Sequence, residues 1–190
     1  MEEQLKIDFE KNLKNLSYSD QEKNFKENNF KEFLKQGFPN RKLENWKFSD
    51  LNQIIKSNIG DLTFYNDYSK ENQIDKIELL NELEHNKIII VDGKIEKIDF
   101  EFEDKDKIEV LVEQSEETIS NNINSLINLN NAFSNKFCKI IIKKNYIIKK
   151  PLIIYHSTNK DTQSKNTNSR IDFKLEDCLL YTSDAADDLG

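Results

Sequence analysis

Lys87-Ile-Ile-Ile-Val-Asp-Gly-Lys-Ile-Glu-Lys-Ile98 is where the hydrophobic period of this chain changes. Two β-branched runs flank Asp92-Gly93, a pair that suits a two-residue hairpin because both central positions of a type I′ turn need positive φ. The stretch therefore predicts a hairpin over 87–98. Everything before it has helical spacing and most of the chain after it reads as strand, so the fold class is α+β.

Upstream, Leu5, Phe9, Leu13 and Leu16 recur every three to four residues, which predicts a helix with one buried stripe. Ser19 is placed to cap a second helix through Phe25, Phe30, Phe33 and Leu34. Gly37 suits a left-handed position just past its end, and Pro39 blocks continuation. Ser49 is expected to cap a short helix with Leu51, Ile54 and Ile55, and a fourth amphipathic stretch carries Ile74, Ile77, Leu80 and Leu83.

Downstream, Ile108–Val112 reads as a strand. Residues 115–135 return to helical spacing through Ile119, Ile123, Leu126, Ile127 and Phe133, with Ser115 as N-cap. From Phe137 the pattern is strands only: Phe137–Lys143, Tyr146–Ile148, Leu152–His156 and Ile171–Leu175, with Asn159–Asn168 a polar loop. Short strands with little helix between them fit stacked sheets, a sandwich or a β-solenoid, and periodicity does not choose among these.

The 190 residues are 36% hydrophobic and 33% charged, with a formal charge of −7. An acidic chain repels phosphate backbones, which argues against nucleic acid as a partner. No apolar run approaches the ~20 residues that cross a bilayer, and Met1-Glu2-Glu3-Gln4 lacks the features of a secretory signal, so no membrane role and a cytoplasmic location are expected. The abundance of Lys, Asn and Ile reads as an AT-rich genome, so patches such as Asn130-Asn131 carry no functional weight.

Cys178 to Asp188 departs from this composition, with an Ala-Ala pair and no Lys, Asn or Ile. Residues 178–190 resemble a translated sequencing-library adapter, and the natural chain is expected to continue beyond Asp177. Without Asp184, Asp187 and Asp188 the formal charge moves from −7 to −4.

Candidate chemistry is sparse. Cys138 shares a strand face with Ile140 and Ile142 and reads as a small buried hydrophobe rather than a nucleophile. His85 and His156 lack partners at metal-ligand spacing and read as surface histidines. Phosphate-loop and nucleophile-elbow motifs are absent, and the acidic run Asp99–Asp106, with Glu101 and Glu103, reads as a solvated loop. No catalytic, cofactor-binding or metal-binding residue is assigned, and the stretch is read as non-enzymatic.

Gly37-Phe-Pro-Asn-Arg-Lys-Leu-Glu-Asn-Trp-Lys-Phe-Ser-Asp-Leu51 stands apart. Trp46 is expected to lock this connection against the preceding helix, and Glu44 to pair with Arg41 or Lys47 or to accept turn amides. The segment resembles the N-terminal motif of the SufB/SufD family of the SUF iron–sulfur cluster assembly system, in its SufD form. Gly37, Pro39, Arg41, Lys42, Glu44, Trp46, Lys47, Phe48, Ser49 and Leu51 match that motif in register. Ile88–Gly93, Asn128–Phe133 and Lys150–Ile154 resemble later family blocks in the same order.

The resemblance implies an N-terminal mainly helical domain (1–135) with a small β-hairpin, followed by the first turns of a right-handed parallel β-helix (136–177). It also implies a scaffold complex with SufB-like and SufC-like (ABC ATPase) subunits. Iron or the cluster would be handled by that complex, with no cofactor held in this fragment. The alternatives are a SufB-like paralogue and, in another class, a β-helix carbohydrate-active enzyme, whose cleft needs grouped carboxylates. Asp161, Asp172, Glu176 and Asp177 form no stripe.

Overall fold

Capping and hydrophobic stripes build the first layer. The computed structural model describes residues 2–15, 18–60, 62–65, 77–113, 124–135, 137–159, 162 and 165–176. Helix α1 (Glu2–Asn15) and α2 (Asp20–Gln36) follow the predicted stripes; Leu16 lies outside the described residues. Ser19 and Glu22 form a reciprocal capping box, each side chain taking the other's backbone N–H. Gly37 ends α2 at φ 69° and ψ −170°, a region open only to glycine but extended rather than left-handed helical. Helix α3 (Leu51–Asn58) is capped by Asp50, whose carboxylate accepts from Gln53 N–H, and not by Ser49.

Helix α4 (Ser125–Phe133) begins at Asn124, and its apolar face completes the helical core. The predicted cap Ser115, with Ile119 and Ile123, lies outside the described residues, as does the 178–190 tail. The Phe133 ring stacks on Phe64 at 3.8 Å and meets Phe9 and Phe30 edge-on at 5.7 and 5.9 Å. Phe9 and Phe30 stack on each other at 4.1 Å, and Leu5, Phe33, Phe38, Ile55, Leu62 and Leu129 fill the surround.

Two three-stranded sheets complete the fold. Strand β1 (Asn86–Val91) pairs antiparallel with β2 (Lys94–Asp99) and parallel with β5 (Leu152–Ser157). Strand β4 (Phe137–Ile142) pairs antiparallel with β3 (Ile108–Glu113) and parallel with β6 (Arg170–Leu175). Asp92 and Gly93 turn the first hairpin at φ 52° and 83°, as its type I′ reading requires. A bulge opposite Ile89 and Ile90 inserts one extra residue into β2, so Ile95 and Ile98 face the same way despite their odd spacing. Ile88 and Ile90 then pack across to Cys138 and Ile140, joining the two sheets. Because β1 is buried on both faces, its Ile-Ile-Ile-Val run is continuous rather than alternating. Each sheet takes strands from both sides of residue 136.

Two expected elements do not form. The fourth amphipathic stretch is not helical over its described part: residues 77–85 are irregular and Leu80 and Leu83 are half-exposed. A stripe of that length forms a stable helix only if it has a surface to cover, and among the described residues this one has none. Ile74 lies outside the described residues. Tyr146–Ile148 is not a strand, because Asn145 turns the chain at φ 59° and the next amides are drawn to a carboxylate.

Phe133→Ala removes the ring on which three others converge and is expected to lower unfolding free energy by about 3–5 kcal/mol. Urea denaturation checks this, with Ile147→Ala, at an exposed position, expected within about 0.5 kcal/mol of the parent.

Candidate functional site

The 37–51 segment is built by its backbone. Phe38 is buried edge-on to Phe33 at 5.0 Å, and Pro39 is buried beside it. Pro39 C=O accepts from Leu51 N–H at 3.0 Å, closing the segment into a loop. Inside it, Lys42 N–H donates to Asn40 Oδ1, Trp46 N–H to Leu43 C=O, and Ser49 N–H to Trp46 C=O. Successive i→i+3 bonds make a tight 3₁₀ turn at Glu44–Trp46.

That winding sends the motif side chains two ways. Leu51 packs on the helical core with the buried Phe38. Arg41, Lys42, Glu44, Lys47 and Phe48 are exposed, and Gly37, Trp46 and Ser49 are half-buried. Trp46, half-buried, stays outside the aromatic core. Glu44 forms no ion pair with Arg41 or Lys47. Lys47 instead lies over the Phe48 ring, 5.0 Å from its centroid.

The groups with chemical potential lie elsewhere and serve the fold. Cys138 is fully buried between the sheets. Burial first, and the Asp172 carboxylate second, push its thiol up to about 11, so it stays protonated and inert. His156 is exposed, but His85 is buried, contrary to its surface reading. The His85 ring meets Leu83 C=O at 2.6 Å through Nδ1 and Tyr155 OH at 2.7 Å through Nε2. A carbonyl only accepts, so Nδ1 carries a proton toward Leu83 C=O, and in the neutral ring Tyr155 donates to Nε2. Among the described residues no group of three or more His, Cys, Asp or Glu side chains gathers as a metal site, and no helix is long and apolar enough to cross a membrane.

Glu103 corrects the reading of the acidic run as a solvated loop. It is buried and accepts from Asn86 Nδ2 at 2.7 Å, Tyr146 OH at 2.8 Å, and the Lys149 and Lys150 amides at 3.1 Å. Asp92 plays the same part at the hairpin, accepting from Asn159 N–H and from Thr162 Oγ1. Nothing in residue type or spacing distinguishes Glu103 from its exposed neighbours. Lys26 escaped the sequence reading, although a signal existed: Glu22, Lys26, Phe30 and Phe33 share one face of α2, and all are buried. Its ammonium donates to the Ala132 and Ser134 carbonyls at the end of α4 and lies 4.7 Å from the Tyr18 ring centroid.

Burial alone would raise the Glu103 pKa. Hydrogen bonds from Asn86, the Lys149 amide, Tyr146 and the Lys150 amide outweigh that and hold it below the ordinary 4.5. Its stabilisation is complete above that value and is lost as pH falls through the lower folded value. Glu103→Gln should cost about 2–3 kcal/mol at neutral pH, and the gap to the parent should close as denaturation is repeated toward pH 3.

Burial lowers Lys26 to about 7, against the opposing pull of Glu22. Between 7 and the ordinary 10.5 the unfolded chain holds more protons at this site, so stability should rise with pH across that window. Thermal melts of the parent from pH 6 to 10 should show the rise. Lys26→Met, with no proton to release, should flatten it.

A scan against protein-family models finds no match for this chain, and a search of curated proteins finds no similar sequence.

Proposed function

We propose that this chain is a SufD-like subunit of a SufBCD-type scaffold for iron–sulfur cluster assembly, contributing protein contacts rather than catalysis. The ten motif residues between Gly37 and Leu51 carry the reading. The topology around them supports it. The chain passes from the first sheet (β1, β2) to the second (β3, β4), back to the first at β5 and again to the second at β6. Strand β5 lies parallel on β1 and β6 parallel on β4, while β2 and β3 add antiparallel at the edges. Alternate return with parallel, in-register stacking is how a β-helix winds, so these strands are read as its opening coils beyond a helical layer. Clusters of iron and sulfide are held mainly by thiolates, and Cys138, buried and protonated, is not such a ligand. In this reading iron or cluster is the cargo of the whole assembly, and the partners are a SufB-like subunit and a SufC-like ATPase in the cytoplasm.

The carbohydrate-active alternative draws no support from the described carboxylates. Asp172 is paired with Arg170 through two hydrogen bonds of 3.0 and 2.6 Å.

Co-expression of the intact gene product with SufB and SufC homologues, followed by affinity purification and gel filtration, tests the proposal. A stable complex containing all three is the expected outcome. A product that elutes alone under low-salt conditions, while SufB and SufC associate with each other, would overturn it.

A further inference from the structure

The loop that carries the motif has a packed backbone and an outward-facing set of large side chains. Phe48 is 85% exposed, Leu43 51%, and Ile54 on α3 43%. Single exposed apolar residues are ordinary, but Phe48 and Ile54 line one shallow hollow of about 290 Å³, with Arg41, Ser49, Asp50, Gln53, Ser57 and Asn58 around them. Leu43 and Trp46 belong to the same loop.

The lining itself balances Arg41 against Asp50, and the sign comes from the loop and helix around it. Arg41, Lys42, Lys47 and Lys56 are exposed, and none forms an ion pair among the described residues. Of the two nearby acids, Asp50 caps α3, and Glu44 remains exposed. The chain as a whole carries −7, so this basic, aromatic surface runs against its own background. Lys35, Lys143 and Lys149, on other parts of the surface, are each paired with an acid.

We infer that this hollow docks an acidic segment of another polypeptide carrying an apolar anchor. The anchor fills the space against Phe48 and Ile54, and its flanking carboxylates meet Arg41, Lys42 and Lys47. An aromatic side chain beside an arginine is the composition that concentrates binding energy in protein interfaces. A concave seat fits a side chain, whereas an anionic bilayer presents a broad plane that the acidic remainder of the chain repels. Exposure, shape and charge carry this assignment, and it stands whether or not the iron–sulfur reading holds.

Trp46 is the chain's one tryptophan, so its emission reports this site without a label. The intact protein is titrated with a short synthetic peptide of glutamates around one leucine and one phenylalanine, and separately with the same peptide carrying lysines for glutamates. The expected result is a saturable blue shift with the acidic peptide alone, weakened by salt. Phe48→Ser, and the pair Arg41→Glu with Lys47→Glu, should each weaken binding at least about tenfold. Unchanged far-UV circular dichroism is expected, because these side chains are exposed and lie outside the core.

No saturable shift, an equal response to the lysine peptide, or undiminished affinity in the variants would sink the inference. So would a response confined to mixed phosphatidylcholine–phosphatidylserine vesicles, which would make the surface a membrane contact. A shift that instead tracks protein concentration, with dimers in sedimentation, would overturn it in favour of a second copy of the chain.

Discussion

The end of α4 is the joint on which both layers of this protein depend. Phe133 carries its ring into the cluster formed with Phe9, Phe30 and Phe64, while the chain after it enters β4 at Phe137. A helix that ends in the interior leaves carbonyls that must find donors. Asn12 supplies one to Phe133 C=O, and Lys26 supplies others to Ala132 and Ser134. A buried ammonium is costly, and its favourable placement at the negative end of a helix offsets part of that cost. The same helix reaches the second sheet, since Asn130 donates to Ser169 C=O and Arg170 to Asn131 Oδ1.

Once α4 positions β4, the sheets are set. Cys138 and Ile140 present the face that Ile88 and Ile90 cover, and β6 adds to β4 as β5 adds to β1. The turns between strands are held by single carboxylates rather than by further strand pairing. Glu103 gathers amides from the 149–150 turn, and Asp92 gathers Asn159 and Thr162. The hairpin also lies so close to residue 168 that a Cβ at Gly93 would sit 2.8 Å from Asn168 C=O. A glycine is needed there for proximity as well as for positive φ.

Against this inward economy the 41–49 loop is an exception. Its backbone is tied by successive turn hydrogen bonds, yet Phe48 and its basic side chains face out. Structural demand explains Gly37, Phe38, Pro39 and Leu51, which end α2, pack, and close the loop. It does not explain Arg41, Lys42, Lys47 or Phe48, and those four form the surface to which a partner is assigned.

Local chemistry determined a large part of this structure. The Ser19 cap, the stripes of α1 and α2, the Asp92-Gly93 turn and the β-branched strands are each set by neighbours a few residues apart, and they were legible for that reason. Cys138 on an apolar strand face was legible on the same ground. What only tertiary structure decided depended on groups distant in sequence. Residues 77–83 have helical spacing but, among the described residues, no surface to cover, and Tyr146–Ile148 yields to Asn145 and to the Glu103 carboxylate. Glu103, His85 and Asn131 look like solvent-facing residues until the chain brings Tyr146, Tyr155 and Asn29 to them. Periodicity records which side of an element is apolar; where that side goes, and which polar groups travel inward with it, is settled by packing between elements.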